Sequence, residues 1–262
     1  MGIFSGRREP VDWQHYLTRF HHEHVGAIEE LLQRLDSGGH SPYAWLSRAV
    51  SESSGTVLDL ACGSGAVGRE LARPGRTVIG VDLSADELAE ARLRSRDGVF
   101  LRADARHLPL RDGSMDAVVS SFGFAVVRPM PVLAREVERV LAPGGVVAII
   151  SPSWQSLRLH DIPGISKLLS VLYSTPHFPT HPGAPGLPGL FAAHGIRKVE
   201  DARERYTYTI TDRTDAERLL EALYLPGVAA TRISAVVDSL TARADRGPVR
   251  LTIPMRRFVG IK

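Results

Sequence analysis

Cysteine is almost absent from this sequence, since Cys62 is the only one in 262 residues. A single thiol forms neither an intramolecular disulfide nor a cysteine-based zinc cluster, so folds that depend on them are excluded. This cysteine usage is typical of a reducing compartment. Long apolar runs are lacking too, because the longest, from Val146 to Ile150, is far shorter than a bilayer-spanning segment.

Lysine is also scarce: Lys167, Lys198 and Lys262 are the only lysines among 32 basic residues. The arginines are spread along the chain between acidic residues, and the formal net charge is only +3. A nucleic-acid-binding protein would show a basic stripe or a known binding motif. We therefore expect a mixed-charge surface and no nucleic-acid partner.

The N-terminus lacks the apolar core of a signal peptide, because Arg7, Arg8 and Glu9 follow a very short apolar start. We expect a cytoplasmic protein without membrane association. Apolar residues make up 44% of the chain and charged residues 23%, which are ordinary values for a globular protein and exclude a mainly disordered one. The length allows one large α/β domain or two small domains.

The first 50 residues predict helices, and the pattern then changes to strands that alternate with helices. Apolar side chains at steps of three and four predict one amphipathic helix over 12–35, and Ser41-Pro42 predicts the start of a second. The next expected strands cover 56–60, 78–81, 99–102, 117–121 and 146–151. The helices expected between them cover 66–73, 85–93 and 130–141. This alternation predicts a parallel sheet with helices on both faces.

Segment 152–188 interrupts this rhythm with seven prolines and a short apolar helix predicted over 165–173. Long ordered insertions of this kind are often lids or binding loops, although a surface elaboration without substrate contact fits the sequence equally well. The remaining pattern predicts helices over 187–194, 212–224 and 229–245, and strands over 197–210 and 249–260.

The sharpest signal is a strand that runs into a glycine-rich turn and then a helix, residues 57–68 (VLDLACGSGAVG). Glycines let a ligand approach the backbone closely, and the helix start offers unpaired N–H groups. Asp82 ends the next strand, where an acid can accept hydrogen bonds from both ribose hydroxyls. Together the turn and this acid predict a ligand that contains adenosine.

The spacing Gly63-x-Gly65-x-x-Gly68 also satisfies the dinucleotide fingerprint, so an NAD(P)-dependent oxidoreductase is an alternative. Asp59 argues against it. A carboxylate just before the turn would repel a pyrophosphate, whereas it suits a ligand that bears cationic groups.

Four blocks, in order and spacing, resemble the class I S-adenosylmethionine-dependent methyltransferases, particularly the UbiE-like small-molecule group. The first two are the glycine turn and residues 78–84 (VIGVDLS). The third combines 102–110 (RADARHLPL) with 115–120 (MDAVVS), and the fourth is 136–145 (EVERVLAPGG). One block alone would be weak evidence, whereas four in order are highly specific.

The resemblance implies S-adenosylmethionine as the cofactor and S-adenosylhomocysteine as the product. It assigns Asp59 and the turn backbone to the methionine part, Asp82 to the ribose and Asp104 to the adenine amino group. The implied cofactor-binding residues are Asp59, Ala61, Gly63, Gly65, Asp82, Leu83, Asp104, Ala105 and Ser121. Ala61 departs from the family, in which many members have glycine at this position.

The resemblance also implies a three-layer α/β/α Rossmann-like sandwich with a mostly parallel seven-stranded sheet and an antiparallel last strand. We expect four segments along the chain. These are a helical N-terminal lid (1–54), the S-adenosylmethionine-binding core (55–151), a Pro-rich substrate-lid insertion (152–186) and a C-terminal completion of the core with a helical insertion (187–262).

Histidines are the candidate bases for catalysis. Methyl transfer needs an acceptor in line with the methyl group and a dry site, and a base helps when the acceptor is a hydroxyl or an acidic carbon. The candidates are His24 in the first helix and His160 and His177 in the insertion. Core packing for His24 and loop polarity for the other two are simpler interpretations. We expect no metal site, since no third ligand joins His21 and His24.

Aromatic residues indicate the chemistry of the substrate. Segment 122–127 is apolar where relatives often carry polar residues. The candidate substrate contacts are Phe20, Phe122, Phe124, Trp154, Tyr173 and Phe178. They predict a small hydrophobic or aromatic acceptor, methylated at oxygen or carbon. A non-catalytic protein that binds S-adenosylmethionine as a regulator is a further alternative, and we expect a monomer or a homodimer.

Overall fold

A computed structural model shows a seven-stranded sheet with helices on both faces. It describes residues 11–153, 155, 157–161, 172, 174–179 and 186–262, with only the backbone of residue 160. The strands are β1 (Thr56–Leu60), β2 (Thr77–Asp82), β3 (Val99–Arg102), β4 (Met115–Ser121), β5 (Leu141–Pro152), β6 (Arg197–Ile210) and β7 (Val249–Ile261). Their order is β3-β2-β1-β4-β5-β7-β6. β7 pairs antiparallel with both neighbours and the other pairings are parallel, which confirms the Rossmann-like prediction.

The helices are α1 (Trp13–Glu23), α2 (Ala27–Gln33), α3 (Pro42–Ser47), α4 (Ala66–Leu71), α5 (Ala85–Arg94), α6 (Gly123–Val126), α7 (Met130–Val140), α8 (Gly186–Ala192), α9 (Arg213–Glu221) and α10 (Ala230–Ala244). A 3₁₀ turn covers Leu159–Asp161. The apolar helix expected over 165–173 lies almost wholly outside the described residues. Every helix in the described part of the chain is too short or too polar to span a bilayer.

The prediction of one helix over 12–35 is wrong, because the chain breaks between α1 and α2. Gly26 adopts φ +73°, a left-handed conformation that an α-helix does not accommodate. Its N–H donates to the carboxylate of Glu87, with N···O distances of 3.4 and 3.3 Å. The break therefore turns α2 against the sheet edge where the glycine turn lies.

The core lies on both faces of the sheet, as expected for buried parallel strands. Alternate residues of β1 enter different clusters: Val57 packs on the face that carries α2 and α3, and Leu58 and Leu60 pack on the face that carries α7. Four residues of α7, namely Leu133, Ala134, Val137 and Val140, are fully buried there. The sheet thus holds its carboxyl edge rigidly between two packed layers.

The strand order reverses between β1 and β4. These two strands lie side by side, but the strands that follow β1 extend the sheet in one direction and those that follow β4 extend it in the other. In open α/β sheets, ligands bind in the crevice beyond the carboxyl ends of the strands at such a reversal. The glycine turn follows β1 and Phe122 follows β4, so the fold brings both to this crevice.

Candidate active site

Left-handed backbone carries the chain from β1 into α4. The φ angles are +56° at Ala61, +52° at Gly63 and +85° at Gly65. A Cβ atom on Gly65 would lie 3.3 Å from the side chains of Ala91 and Phe100, which is tighter than most real contacts. Glycine is therefore required at this position for both its conformation and its packing.

Asp82 holds the glycine turn by a hydrogen bond to its backbone. Its Oδ2 accepts a hydrogen bond of 2.9 Å from the N–H of Gly63, and its Oδ1 accepts one of 2.9 Å from the N–H of Ser84. A carboxylate has about four acceptor positions, so others are left for the hydroxyls of a ligand. Leu83 beside it is 55% exposed and offers apolar surface to a flat ring.

Asp104 follows β3 on the same edge and is held by Arg106. The guanidinium lies 2.6 Å from the carboxylate, and this hydrogen bond lowers the pKa of Asp104. The side chain therefore stays an acceptor at neutral pH. Ala105 is buried next to it, and Ser121 is half-buried at the end of β4.

Asp59 in β1 is a buried acid beneath the turn. Its side chain is 1% exposed, and neither carboxyl oxygen has a hydrogen-bond partner among the described residues. Burial raises its pKa to about 7, although the nearby N–H of Gly68 and the guanidinium of Arg69 oppose the shift. A ligand with a cationic group above the turn would stabilise the ionised form.

We expect Asp59→Asn to stabilise the ligand-free protein at alkaline pH. A raised carboxyl pKa means that the folded state binds a proton more tightly than the unfolded state, so stability falls as pH rises from about 4 to 7. The shift of about three units corresponds to about 4 kcal/mol at most. We expect a gain of about 2 kcal/mol at pH 8, since the buried amide also lacks partners.

Urea unfolding at pH 5 and pH 8 tests this expectation. The gain should shrink at pH 5, where Asp59 is already protonated. The exposed Asp97 provides a matched control, because Asp97→Asn removes a charge without any burial cost. Equal stabilities of the Asp59→Asn variant and the parent protein at pH 8 would contradict the assignment.

Two non-glycine residues with left-handed backbone flank the crevice. Ala61 follows β1 with φ +56°, and Phe122 follows β4 with φ +66°. The residue after Phe122 packs closely on Ala61: a Cβ atom on Gly123 would lie 3.0 Å from that of Ala61 and 2.4 Å from Oγ of Ser120. Such conformations cost about 1–2 kcal/mol each and cluster at functional sites. The strain is a further sign that this crevice is the site.

Glu29 of α2 ties the N-terminal helices to the glycine turn. It is 5% exposed and accepts a hydrogen bond of 2.7 Å from the hydroxyl of Ser64, inside the turn. It also pairs with Arg69 of α4 and, at 2.7 Å, with Arg94 of α5. One carboxylate thus joins α2, the turn and two helices of the core.

Three polar side chains meet above the turn. His21 of α1 places Nδ1 at 2.9 Å from the carboxylate of Glu87 in α5 and Nε2 at 3.1 Å from the hydroxyl of Tyr224, after α9. Glu87 is 4% exposed and Tyr224 is 3% exposed. A Cβ atom on Gly63 would lie 3.7 Å from Oε2 of Glu87, so the group adjoins the turn.

An apolar cavity opens beside this group. It encloses about 990 Å³ of empty space, including the part open to solvent. Ser153, Thr252 and Tyr224 are the polar residues of a wall that is otherwise apolar. The apolar lining is Ile28, Leu31, Leu32, Phe122, Pro152, Pro176, Phe178, Leu219, Ala222, Leu223, Leu251, Ile253, Pro254 and Met255.

Of the predicted substrate residues, two line the cavity, one packs on a residue of its wall and one lies in the core. Phe122 and Phe178 line the cavity with ring centroids 6.3 Å apart, and Phe20 packs at 4.6 Å on Tyr224. Phe124 does not line it: the turn at Phe122 directs it into the core, 2% exposed, against Phe191. Trp154 and Tyr173 lie outside the described residues.

The predicted bases lie at three different places. His24 ends α1 and packs its ring at 5.1 Å from that of Phe20. His177 lies next to Tyr224, whose backbone carbonyl accepts from its N–H at 3.0 Å. The side chain of His160 lies outside the described residues. No group of three metal-ligating side chains occurs among the described residues.

The sequence of the core matches a known family. Residues 58–149 match the family described as "Methyltransferase domain". A demethylmenaquinone methyltransferase of Beutenbergia cavernae is 45% identical over 101 residues, which are 37% of this chain and 42% of the relative. A 2-phytyl-1,4-naphtoquinone methyltransferase of Nostoc punctiforme is 36% identical over 146 residues, which are 50% of this chain and 63% of the relative. Residues 58–149 therefore match a methyltransferase domain, in line with the resemblance to the class I S-adenosylmethionine-dependent enzymes.

The likeness in fold extends beyond this methyltransferase domain. A phosphoethanolamine N-methyltransferase 2 of Haemonchus contortus, in complex with phosphomonomethylethanolamine and S-adenosylhomocysteine, superposes with a TM-score of 0.58. The match covers 97% of this chain and 61% of the other at 19% identity, so it shows the fold alone. The chain spans 42% and 63% of the lengths of the two curated relatives described above.

S-adenosylmethionine is the cofactor of class I methyltransferase domains and, when bound, supplies a methyl group on a positively charged sulfur. The residues present fit it. Asp82 retains acceptor positions for the ribose hydroxyls, and buried Asp59 lacks a partner of its own. The individual contacts drawn from the resemblance stay predictions.

Sequence reasoning missed Glu29, His21, Glu87 and Tyr224. One signal was available: Ser84-x-x-Glu87 has the spacing of a capping box, in which the glutamate bonds back to the cap residue. In the structure Ser84 does cap α5, but its N–H already donates to Asp82. Glu87 is therefore left to hold His21 and the N-terminal helices of the methyltransferase.

Proposed function

We propose that this chain transfers a methyl group from S-adenosylmethionine to a small, apolar, quinone-like molecule. The observation that carries the proposal is the apolar cavity beside the crevice. Its wall includes Phe122, which directly follows Ser121 at the predicted cofactor edge. An acceptor in this cavity would lie next to the cofactor and away from bulk water.

The relatives support this class of substrate, since two of them are named for methylation of quinones. A reduced quinone ring offers both hydroxyl oxygens and electron-rich ring carbons, so we propose methylation at oxygen or carbon. We also propose a cytoplasmic monomer or homodimer that acts without nucleic acid, in line with the single cysteine and the mixed charges.

Thermal unfolding with S-adenosylhomocysteine, NADH and NADPH tests the cofactor first. A ligand at 100 times its Kd adds about 2.7 kcal/mol of stability, which raises Tm by roughly 5–10 °C for a chain of this size. We expect the rise with S-adenosylhomocysteine alone. A rise with NADH alone would overturn the proposal in favour of an oxidoreductase.

Methyl transfer is then measured with S-adenosylmethionine labelled in its methyl group. The acceptor probes are reduced 2-methyl-1,4-naphthoquinone, 1-naphthol and, as a polar control, catechol sulfate. We expect label in the naphthalene products and none in the sulfate. Binding of S-adenosylhomocysteine without transfer to either naphthalene would indicate a regulator that binds the cofactor.

A further inference from the structure

The polar group above the turn lies where the cofactor side and the acceptor side of the site meet. Glu87 adjoins Gly63 of the glycine turn. Tyr224 lines the apolar cavity, and its hydroxyl reaches His21. Tyr224 therefore belongs both to the cavity wall and, through His21, to the group that adjoins the glycine turn.

We propose that Tyr224, His21 and Glu87 form a proton relay that deprotonates the methyl acceptor. The inference rests on the proposed function, and it assigns the base to residues other than His24, His160 and His177. Tyr224 is the residue that touches the acceptor, His21 receives the proton, and Glu87 positions the imidazole.

The hydrogen bonds determine which atom carries which proton. The carboxylate of Glu87 accepts from Nδ1–H of His21 at 2.9 Å, which leaves Nε2 as an acceptor. Burial raises the pKa of Tyr224 well above its ordinary value, and Glu87 and Asp82 add to the shift. Tyr224 thus stays protonated and donates to Nε2 at 3.1 Å.

The step balances with a hydroxyl acceptor. The acceptor oxygen forms a bond to the methyl carbon while the carbon–sulfur bond breaks and its electron pair stays on sulfur. The acceptor's proton passes to the oxygen of Tyr224 as the phenolic proton passes to Nε2 of His21. Glu87 stabilises the imidazolium, and the side chain of His21, 24% exposed, releases the proton to water.

Neighbouring groups on every side of His21 are compatible with this role. Its own helix presents the ring of His24 beyond Phe20, α5 presents Glu87, and Asp82 lies near the hydroxyl of Tyr224. The two charged groups named here, Glu87 and Asp82, are both acids, and Tyr16 of α1 is the further titratable group beside Tyr224.

His22 provides a matched control one residue away. It pairs with Asp86 at 2.9 Å in the same way that His21 pairs with Glu87, but its side chain is 73% exposed. Both histidines therefore make the same kind of contact with a carboxylate, but the side chain of His22 is mostly exposed to solvent and that of His21 is not. His22→Gln should leave turnover unchanged within about twofold.

The test compares His21→Gln and Tyr224→Phe with the parent protein. Glutamine retains hydrogen bonds but takes no proton, and phenylalanine retains the ring contacts with Phe20. With labelled cofactor and 1-naphthol, we expect kcat to fall by about 10²–10⁴-fold in both variants. Affinity for S-adenosylhomocysteine should stay within about twofold of the parent value.

Two further readouts separate a relay from a structural role. The decline of kcat/KM at acidic pH should disappear in His21→Gln. If the decline persists in this variant, a group other than His21 titrates and the relay is overturned. In the ligand-free protein, ¹⁵N resonances of His21 should show a protonated Nδ1, and the Nε2 resonance should shift in Tyr224→Phe. An unprotonated Nδ1 would also overturn the relay.

The outcomes also distinguish this relay from the proposed function. If the parent protein binds no S-adenosylhomocysteine or methylates neither naphthalene probe, the proposed function fails and the relay with it. If the parent protein is active and His21→Gln matches it in kcat and in pH profile, the relay alone is overturned.

Discussion

Replacement of Asp82 with alanine is expected to weaken the binding of S-adenosylhomocysteine about 100-fold or more. The carboxylate would lose its predicted hydrogen bonds to two ribose hydroxyls, and a hydrogen bond to a charged group contributes about 1.5–3 kcal/mol. The N–H groups of Gly63 and Ser84 would lose their acceptor as well, so the turn would no longer be held in place. Titration calorimetry measures the change in Kd.

Asp86→Ala is the control for this experiment. Asp86 lies four residues further along the chain and pairs with exposed His22 instead of the turn. Its removal should leave the affinity for S-adenosylhomocysteine unchanged within about twofold. If Asp82→Ala binds as tightly as Asp86→Ala, then Asp82 does not contact the cofactor.

The second large effect is expected at Glu29. Its alanine variant should lose about 3 kcal/mol of unfolding free energy, because removing one partner of a buried ion pair leaves the others without compensation. This is the lower end of the usual range, since the side chains of Arg69 and Arg94 are 26% and 27% exposed and water screens them in part. Ser64 would also lose its acceptor, so the turn should bind S-adenosylhomocysteine about tenfold more weakly.

Urea unfolding measures the stability of Glu29→Ala and of Glu30→Ala, and calorimetry measures their affinity for S-adenosylhomocysteine. Glu30 follows Glu29 in α2, but its side chain is 48% exposed and reaches Arg94 only at 3.8 Å. We expect a change of less than about 0.5 kcal/mol for Glu30→Ala. Equal stabilities of the two variants would show that the contacts of Glu29 do not hold α2 on the core.

Most strands could be predicted from the sequence because buried parallel strands are short apolar runs. The expected strands at 56–60, 99–102 and 197–210 agree with the structure at both ends. The single helix expected over 12–35 was wrong, since the position of Gly26 against Glu87 is a tertiary contact that periodicity does not contain. The short helix α6 was missed for a related reason: only the packed crevice stabilises left-handed backbone at Phe122.

The cofactor side of the site was predictable to the extent that it is local in sequence. The glycine turn and Asp82 lie on consecutive elements, so spacing alone brings them together. The group of His21, Glu87 and Tyr224 joins positions 66 and 203 residues apart, and nothing in the local pattern links them. Helical position also did not separate His21 from His24, because both lie near the buried side of α1.

The α2 helix has two functional faces. Glu29 reaches the glycine turn through Ser64, while Ile28, Leu31 and Leu32 from the same two turns form part of the cavity wall. The two pockets therefore share one rigid element, and a shift of α2 at one is transmitted to the other. Thermodynamic linkage makes such coupling reciprocal: the factor by which bound cofactor changes acceptor affinity equals the factor by which bound acceptor changes cofactor affinity.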